Sequence, residues 1–144
     1  MNTPRRVVLL MRRFWRARRL GVRLFGEGVG HASGFAGVED HGDSRLSRVS
    51  FGASRGVPVT AFAEVVARLG GSVDLLKLDC EGAEWDIFHD KASFQQVRLI
   101  RMEYHLVDNR SIDDLSQWAK KVGFQIDRLL PNSGFGIAWL SRAS

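Results

Sequence analysis

From Gly56 onward, segments with the apolar pattern of a strand alternate with segments whose apolar residues have helical spacing. Short apolar runs bounded by turn-forming residues are typical of strands. These runs lie at residues 57–59, 73–79 and 97–104. The run at 73–79, VDLLKLD, is apolar over most of its length, so we expect a strand that is buried on both faces of a parallel sheet.

One segment between the first two strands and one segment after the third strand carry apolar residues at helical spacing. Thr60 is the expected N-cap of the first helix, and the glycine pair at 70–71 is expected to end it. Ser111 is expected to cap the second helix, with Asp114 in the position of a capping-box partner. A further helix is expected to begin in EGAEWDIF, at residues 81–88, where acids suit the first turn of a helix.

The chain ends in two apolar segments, FQIDRLL and FGIAWLS, separated by turn-forming residues at 131–134. A turn this short predicts an antiparallel hairpin. The order strand, helix, strand, helix, hairpin predicts the α/β class.

The residues before Gly56 give weaker patterns. Residues 22–30 are expected to form a short strand, and the glycine- and serine-rich stretch that follows has weak strand character. Residues 1–21 form a candidate basic amphipathic arm, because eight arginines and no acid fall within residues 1–26. The whole chain carries a formal charge of +5, so its remainder is net acidic.

Length and composition favour one globular domain. A chain of 144 residues with 44% apolar residues can bury one core and is short for two. Cys80 is the only cysteine, so no intrachain disulfide can form, and a cytoplasmic location is expected. No apolar run approaches the roughly 20 residues that span a bilayer.

Polar residues follow two of the predicted strands where each strand ends. Asp79 and Glu81 follow the strand at 73–79, and Glu103 and His105 close the next one. The carboxyl ends of neighbouring parallel strands meet at one rim, so we expect these side chains to converge. They could bind a divalent cation, or one could be the general base that deprotonates a hydroxyl. The alternative is that each carboxylate is a helix cap or a solvated surface residue.

The residues at this rim resemble the hallmark of the FkbM-type methyltransferase family. That hallmark, Lys-x-Asp-x-Glu-Gly-Ala-Glu after a strand, is matched by residues 77–84. GVPVTAFAEVV (56–66) is similar to the family's lead-in, and LIRMEYH (99–105) is similar to its next strand. The resemblance extends over residues 22–140.

The resemblance implies a Rossmann-like class I methyltransferase fold with S-adenosylmethionine as the methyl donor. It also implies O-methylation of a hydroxyl on a sugar or natural product. The residues that would bind the cofactor are Lys77, Asp79 and Gly82. The residues that would form the catalytic rim, with a divalent cation as a further candidate, are Asp79, Glu81, Glu103 and His105.

The family's first two strands, and the glycine-rich loop between them, have no counterpart in this sequence. Gly26, Gly28 and Gly30 follow a weak strand and open no predicted helix, so they are not expected to form that loop. We therefore expect a partial class I sheet with a C-terminal hairpin, formed by the C-terminal part of a domain at residues 22–144. In such a sheet residues 22–30 would lack a neighbour, and one edge of the strand at 73–79 would be unpaired.

Two other functions remain open at this stage. An unpaired strand edge invites association, so the chain could be a non-catalytic module that forms a homo-oligomer. The arginine-rich arm could bind RNA or an anionic membrane, although charge clusters are more often solvated surfaces. His31, His41 and His89 show no metal-ligand spacing and are expected to be surface residues.

Overall fold

The computed structural model describes residues 23–39 and 48–143, so the predicted arm and His41 lie outside the described residues. The strands in this part of the chain are β1 (Gly28–Gly30), β2 (Gly34–Glu39), β3 (Arg48–Phe51), β4 (Val57–Ala61), β5 (Val73–Asp79), β6 (Val97–His105), β7 (Phe124–Pro131) and β8 (Phe135–Arg142). The helices are α1 (Phe62–Arg68), α2 (Glu84–Ile87), α3 (Lys91–Phe94) and α4 (Ile112–Lys121). Within these ranges, no helix is both long and apolar enough to cross a membrane.

The described strands form two sheets, which corrects the expectation of one partial sheet. The first has the order β1-β4-β2-β3 and the second has the order β5-β6-β8-β7. β1 pairs in parallel with β4, so the segment that we expected to lack a neighbour has one. The chain is mixed α/β, as its pattern predicted. Gly28 and Gly30 lie in β1, and β2 rather than a helix is the next element along the chain.

The second sheet follows the sequence prediction closely. β5 and β6 are parallel neighbours, and β7 and β8 form the expected antiparallel hairpin. Ser111 and Asp114 form the predicted capping box at the start of α4, and their hydrogen bonds lower the pKa of Asp114. The predicted N-cap of α1 was wrong by one residue: the cap is Ala61, the last residue of β4, and the helix begins directly after it at Phe62.

Helices and the second sheet enclose the main core on one face of that sheet. Met102 and Tyr104 of β6 are buried there, together with Leu140 of β8. The ring of Phe88 stacks on that of Trp118, with 3.7 Å between their centroids, which joins the segment after α2 to α4. Because α2 and α4 each follow a strand of this sheet, their packing fixes where those strands end.

The other face of the second sheet is largely exposed, which corrects the prediction for β5. Leu75 is 55% exposed, and Lys77 and Asp79 on the same face are also exposed. Among the described residues, β5 pairs with β6 alone, so its other edge is open as predicted. The apolar run predicts a strand covered on both faces, whereas from Leu75 onward only the face with Leu76 and Leu78 packs on the core.

Gly136 allows Tyr104 to pack directly on β8. A Cβ atom at Gly136 would lie 2.6 Å from the Leu130 carbonyl oxygen and 2.6 Å from Cζ of Tyr104. We expect Gly136→Ala to cost about 3 kcal/mol of the free energy of unfolding, since a buried ring and a backbone strand would both have to move. Urea unfolding followed by circular dichroism measures this cost. Gly34→Ala is the matched control, because a Cβ at Gly34 meets no atom within 4 Å; equal costs for the two variants would contradict the prediction.

Candidate functional site

The loop after β5 turns sharply back toward the end of β6. Glu81 and Gly82 both have positive φ angles, of 52° and 99°. Side chains other than glycine adopt such a backbone at a cost. A Cβ at Gly82 would also lie 3.1 Å from Cγ1 of Val107, which follows β6. Gly82 therefore brings the backbone of this loop into close contact with the segment after β6.

Glu84 holds the loop to the end of β6. Its side chain is fully buried and accepts hydrogen bonds from the backbone N–H of Gly82, at 2.9 Å, and of His105, at 2.6 Å. The same carboxylate lies 3.1 Å from Nδ1 of His105. A buried carboxylate is tolerated where such donors replace water. Glu84 therefore fixes the position of the His105 ring relative to the loop.

His105 lies at the centre of the rim. Its side chain is 15% exposed, and its Nε2 atom faces Glu81 at 3.3 Å and Glu103 at 3.9 Å. Its ring stacks on Phe135 of β8, and its carbonyl oxygen accepts a hydrogen bond of 2.6 Å from Nε1 of Trp85. With Nδ1 donating to the buried Glu84, Nε2 is the ring nitrogen that faces the rim.

Asp79 lies beside this group without contacting His105. It is the register partner of Glu103, so their side chains lie on the same face of the sheet. Its carboxylate oxygen Oδ2 is 2.9 Å from Nζ of Lys77, as expected for two charged residues that share a strand face. The sequence thus predicted four rim residues, of which Glu81, Glu103 and His105 come together and Asp79 flanks them.

Glu84 is the last residue of the motif at 77–84, but no role in the site is predicted for it from the sequence. A glutamate just after a glycine turn suits the first turn of a helix, and this is the role that the pattern at residues 81–88 predicts. The paired His105 is 21 residues away in the sequence. Only the parallel pairing of β5 with β6 brings the two residues together.

The rim is not a compact cation site. Among the described residues, one set of His, Cys, Asp and Glu side chains has ligand atoms that all lie within 4.8 Å of one another, and it consists of His31, Asp86 and His89. The divalent cation that we expected at the rim is therefore not supported there. His31 and His89 are exposed, as expected, and although no metal-ligand spacing links them in the sequence, the fold brings both close to Asp86.

Cys80 lies in the loop but is a poor candidate for a nucleophile. It is half-buried and packs against the core. Burial raises the pKa of its thiol above the ordinary value, which disfavours the reactive thiolate.

A cavity of about 590 Å³ lies away from the rim, between β1 and α1, where Phe25, Val29 and Leu69 line it.

Comparison with known proteins identifies the family. Searches of curated proteins and of solved structures gave no match. The family model described as the methyltransferase FkbM domain matches residues 22–126, a span that contains β1 to β6, the loop after β5 and all the rim residues. This match confirms the resemblance that was drawn from residues 77–84. The chain therefore belongs to the FkbM methyltransferase domain family.

Proposed function

We propose that this chain carries the reacting end of an S-adenosylmethionine-dependent O-methyltransferase, with His105 as the general base. The observation that carries this proposal is the position of His105 between a buried carboxylate and an open acidic rim. Nδ1 faces Glu84, which has no exposure, whereas Nε2 faces Glu81, whose side chain is 50% exposed. A base that is oriented on one side and accessible on the other is the arrangement that general-base catalysis uses.

The proposed reaction places a hydroxyl acceptor at the rim. S-Adenosylmethionine, when bound, supplies a methyl group on a positively charged sulfur, ready for in-line displacement. His105 Nε2 would take the proton of the acceptor hydroxyl as its oxygen bonds to the methyl carbon and the carbon–sulfur bond of the donor breaks, so that neutral S-adenosylhomocysteine would leave. Glu84 on the Nδ1 side of the ring, and Glu81 and Glu103 on the Nε2 side, would stabilise the resulting imidazolium by their negative charge. Positioning of the acceptor supplies the remainder of the rate increase.

The charges of the rim fit the methyl donor. Asp79, Glu81 and Glu103 provide three carboxylates beside one ammonium group, that of Lys77, and negative charge attracts the sulfonium. Asp79 would lie near the donor's cationic part, and Lys77 could contact its carboxylate. Gly82 would contribute by allowing the donor to approach the loop backbone closely. Its own N–H donates to Glu84.

We propose a hydroxyl of a sugar or natural product as the acceptor. The rim opens onto the exposed face of the second sheet, where Leu75, Phe135 and Ile137 are partly exposed beside the charged groups. A surface that combines apolar side chains with a few polar groups suits a molecule that has both kinds of surface. The cytoplasmic location that the sequence favours is part of the same proposal.

A second candidate function is self-association through β5. The open edge of this strand leaves backbone N–H and C=O groups without strand partners among the described residues, and Leu75 beside it is 55% exposed. Such an edge can pair with a second copy of the chain. Sedimentation equilibrium tests this candidate, and a monomer at all concentrations would exclude it.

Calorimetric titration of the folded 144-residue chain with S-adenosylmethionine tests the main proposal. We expect one-to-one binding that Asp79→Asn weakens about tenfold or more, since a charge-assisted contact is worth about 1.5–3 kcal/mol. Asp74→Asn is the matched control, because Asp74 lies on β5 but on the opposite face from Asp79. A folded chain that binds no S-adenosylmethionine, or equal affinities for the two variants, would contradict the proposed role of Asp79.

A further inference from the structure

Three side chains outside the rim form a second polar cluster, at the junction of the two sheets. His31 lies in the bend between β1 and β2, Asp86 lies in α2, and His89 follows α2. One carboxylate oxygen of Asp86 accepts a hydrogen bond of 2.8 Å from the backbone N–H of His31, and the other lies 2.7 Å from its Nδ1. Both oxygens of Asp86 are therefore directed at residue 31, which is 55 residues away in sequence.

His89 completes this cluster with an oriented ring. Its Nδ1 lies 3.1 Å from the backbone carbonyl oxygen of Asp86, an arrangement in which Nδ1–H donates. The Nε2 atom of the same ring is then the one that carries a free lone pair. The centroids of the His31 and His89 rings are 5.6 Å apart, at an interplanar angle of 63°. Metal-binding histidines commonly donate their second ring N–H to a backbone carbonyl in this way.

We propose that His31, Asp86 and His89 bind a zinc ion. Two imidazoles and a carboxylate are a common ligand set for Zn²⁺, and a water molecule would fill the fourth tetrahedral position. Ligand atoms around Zn²⁺ lie roughly 3.3 Å apart, as follows from metal–ligand bonds of about 2.0–2.2 Å. The three ligand atoms here lie within 4.8 Å of one another. Because both histidine rings are exposed, rotation of their side chains can close this difference.

The position of the cluster suggests what the ion would do. His31 belongs to the connection within the first sheet, whereas Asp86 and His89 belong to the segment that follows the rim loop of the second sheet. A bound ion would cross-link these parts and would stabilise the folded chain in proportion to the logarithm of its concentration. This role is separate from methyl transfer, since the rim groups around His105 do not include any of the three ligands.

The alternative is that the cluster is a hydrogen-bonded clasp that needs no ion. In that case His31→Ala would lower the melting temperature by the same amount with and without Zn²⁺. If the cluster binds zinc, Zn²⁺ raises the melting temperature of the unmodified chain, and this rise is lost in His31→Ala and in His89→Ala. Melting temperatures of the unmodified chain and the variants, measured with and without Zn²⁺, therefore distinguish ion binding from hydrogen bonding within the cluster.

Zinc titration of the full chain against a competing indicator, with Co²⁺ as a spectroscopic probe, tests the proposal. We expect one equivalent of Zn²⁺ to bind, visible Co²⁺ bands typical of four-coordination, and a loss of affinity of more than about 100-fold in either histidine variant. His105→Gln is the control for ion binding at the rim and should bind Zn²⁺ like the unmodified chain. Absence of Zn²⁺ binding, or loss of binding in His105→Gln with none in His31→Ala, would overturn the assignment.

Discussion

Replacing Glu84 by leucine is expected to cost about 3–5 kcal/mol of the free energy of unfolding. Leucine approximates the size of the buried side chain but accepts no hydrogen bond. The backbone N–H groups of Gly82 and His105, and Nδ1–H of His105, would then lose their common acceptor. Each buried donor without a partner costs about 1–3 kcal/mol, and part of this cost is recovered where water enters or the loop relaxes.

Urea unfolding of the full chain measures this effect, with Glu81→Gln as the matched control. Glu81 lies in the same loop and contacts the same histidine, but its side chain is half exposed. Exposed ion pairs contribute about 1 kcal/mol or less, so the control should lose little stability. A loss below about 1 kcal/mol for Glu84→Leu would show that the carboxylate is not what holds the loop to β6.

The second sheet was predictable because its elements are encoded locally. The capping box of Ser111 and Asp114, and the turn at 131–134, each depend on neighbouring residues. The positions of the helices and strands along the chain then limit which strands can pair. The first sheet was not predictable in this way, because β1 pairs with β4 across nearly thirty residues of weak pattern. Short glycine-rich strands carry few side chains that specify a partner.

The exposed face of β5 illustrates a limit of hydrophobic patterns. Leu75 and Leu76 look equivalent in the sequence, yet Leu76 packs against the core and Leu75 is largely exposed. An apolar run indicates that a strand can be buried on both faces, but whether both faces are covered depends on the other elements. The lysine and aspartate at 77 and 79 were the local indication of a polar face, and they pair there.

The residues of the candidate site also differ in whether the sequence could predict their roles. Glu81, Glu103 and His105 could be inferred because parallel strands end at one rim. The roles of Glu84 and of the His31 cluster depend on side chains that meet only after the loop and the two sheets have been placed. Sequence reasoning therefore found the exposed chemical groups and missed the buried carboxylate that orients them.

His105→Gln is expected to lower the rate of methyl transfer by about 10²–10⁴-fold, the usual contribution of a general base. Glutamine retains a polar group of similar reach but cannot accept a proton from the acceptor hydroxyl. The measurement is the release of S-adenosylhomocysteine from the full chain in the presence of hydroxyl acceptors, with Asp74→Asn as a control that should keep the unmodified rate. Asp74 is exposed on the opposite face of β5 from the rim.

The pH dependence of this rate separates a base from a residue that only positions the acceptor. If His105 takes the proton, the decline in rate toward acid pH in the unmodified protein should disappear in His105→Gln, because the group that must be neutral is gone. A variant with a lower rate but the same acid decline would assign His105 to positioning, and the base would then be sought among Asp79, Glu81 and Glu103. Full activity in His105→Gln would contradict the proposed reaction outright, since no other histidine lies at the described rim.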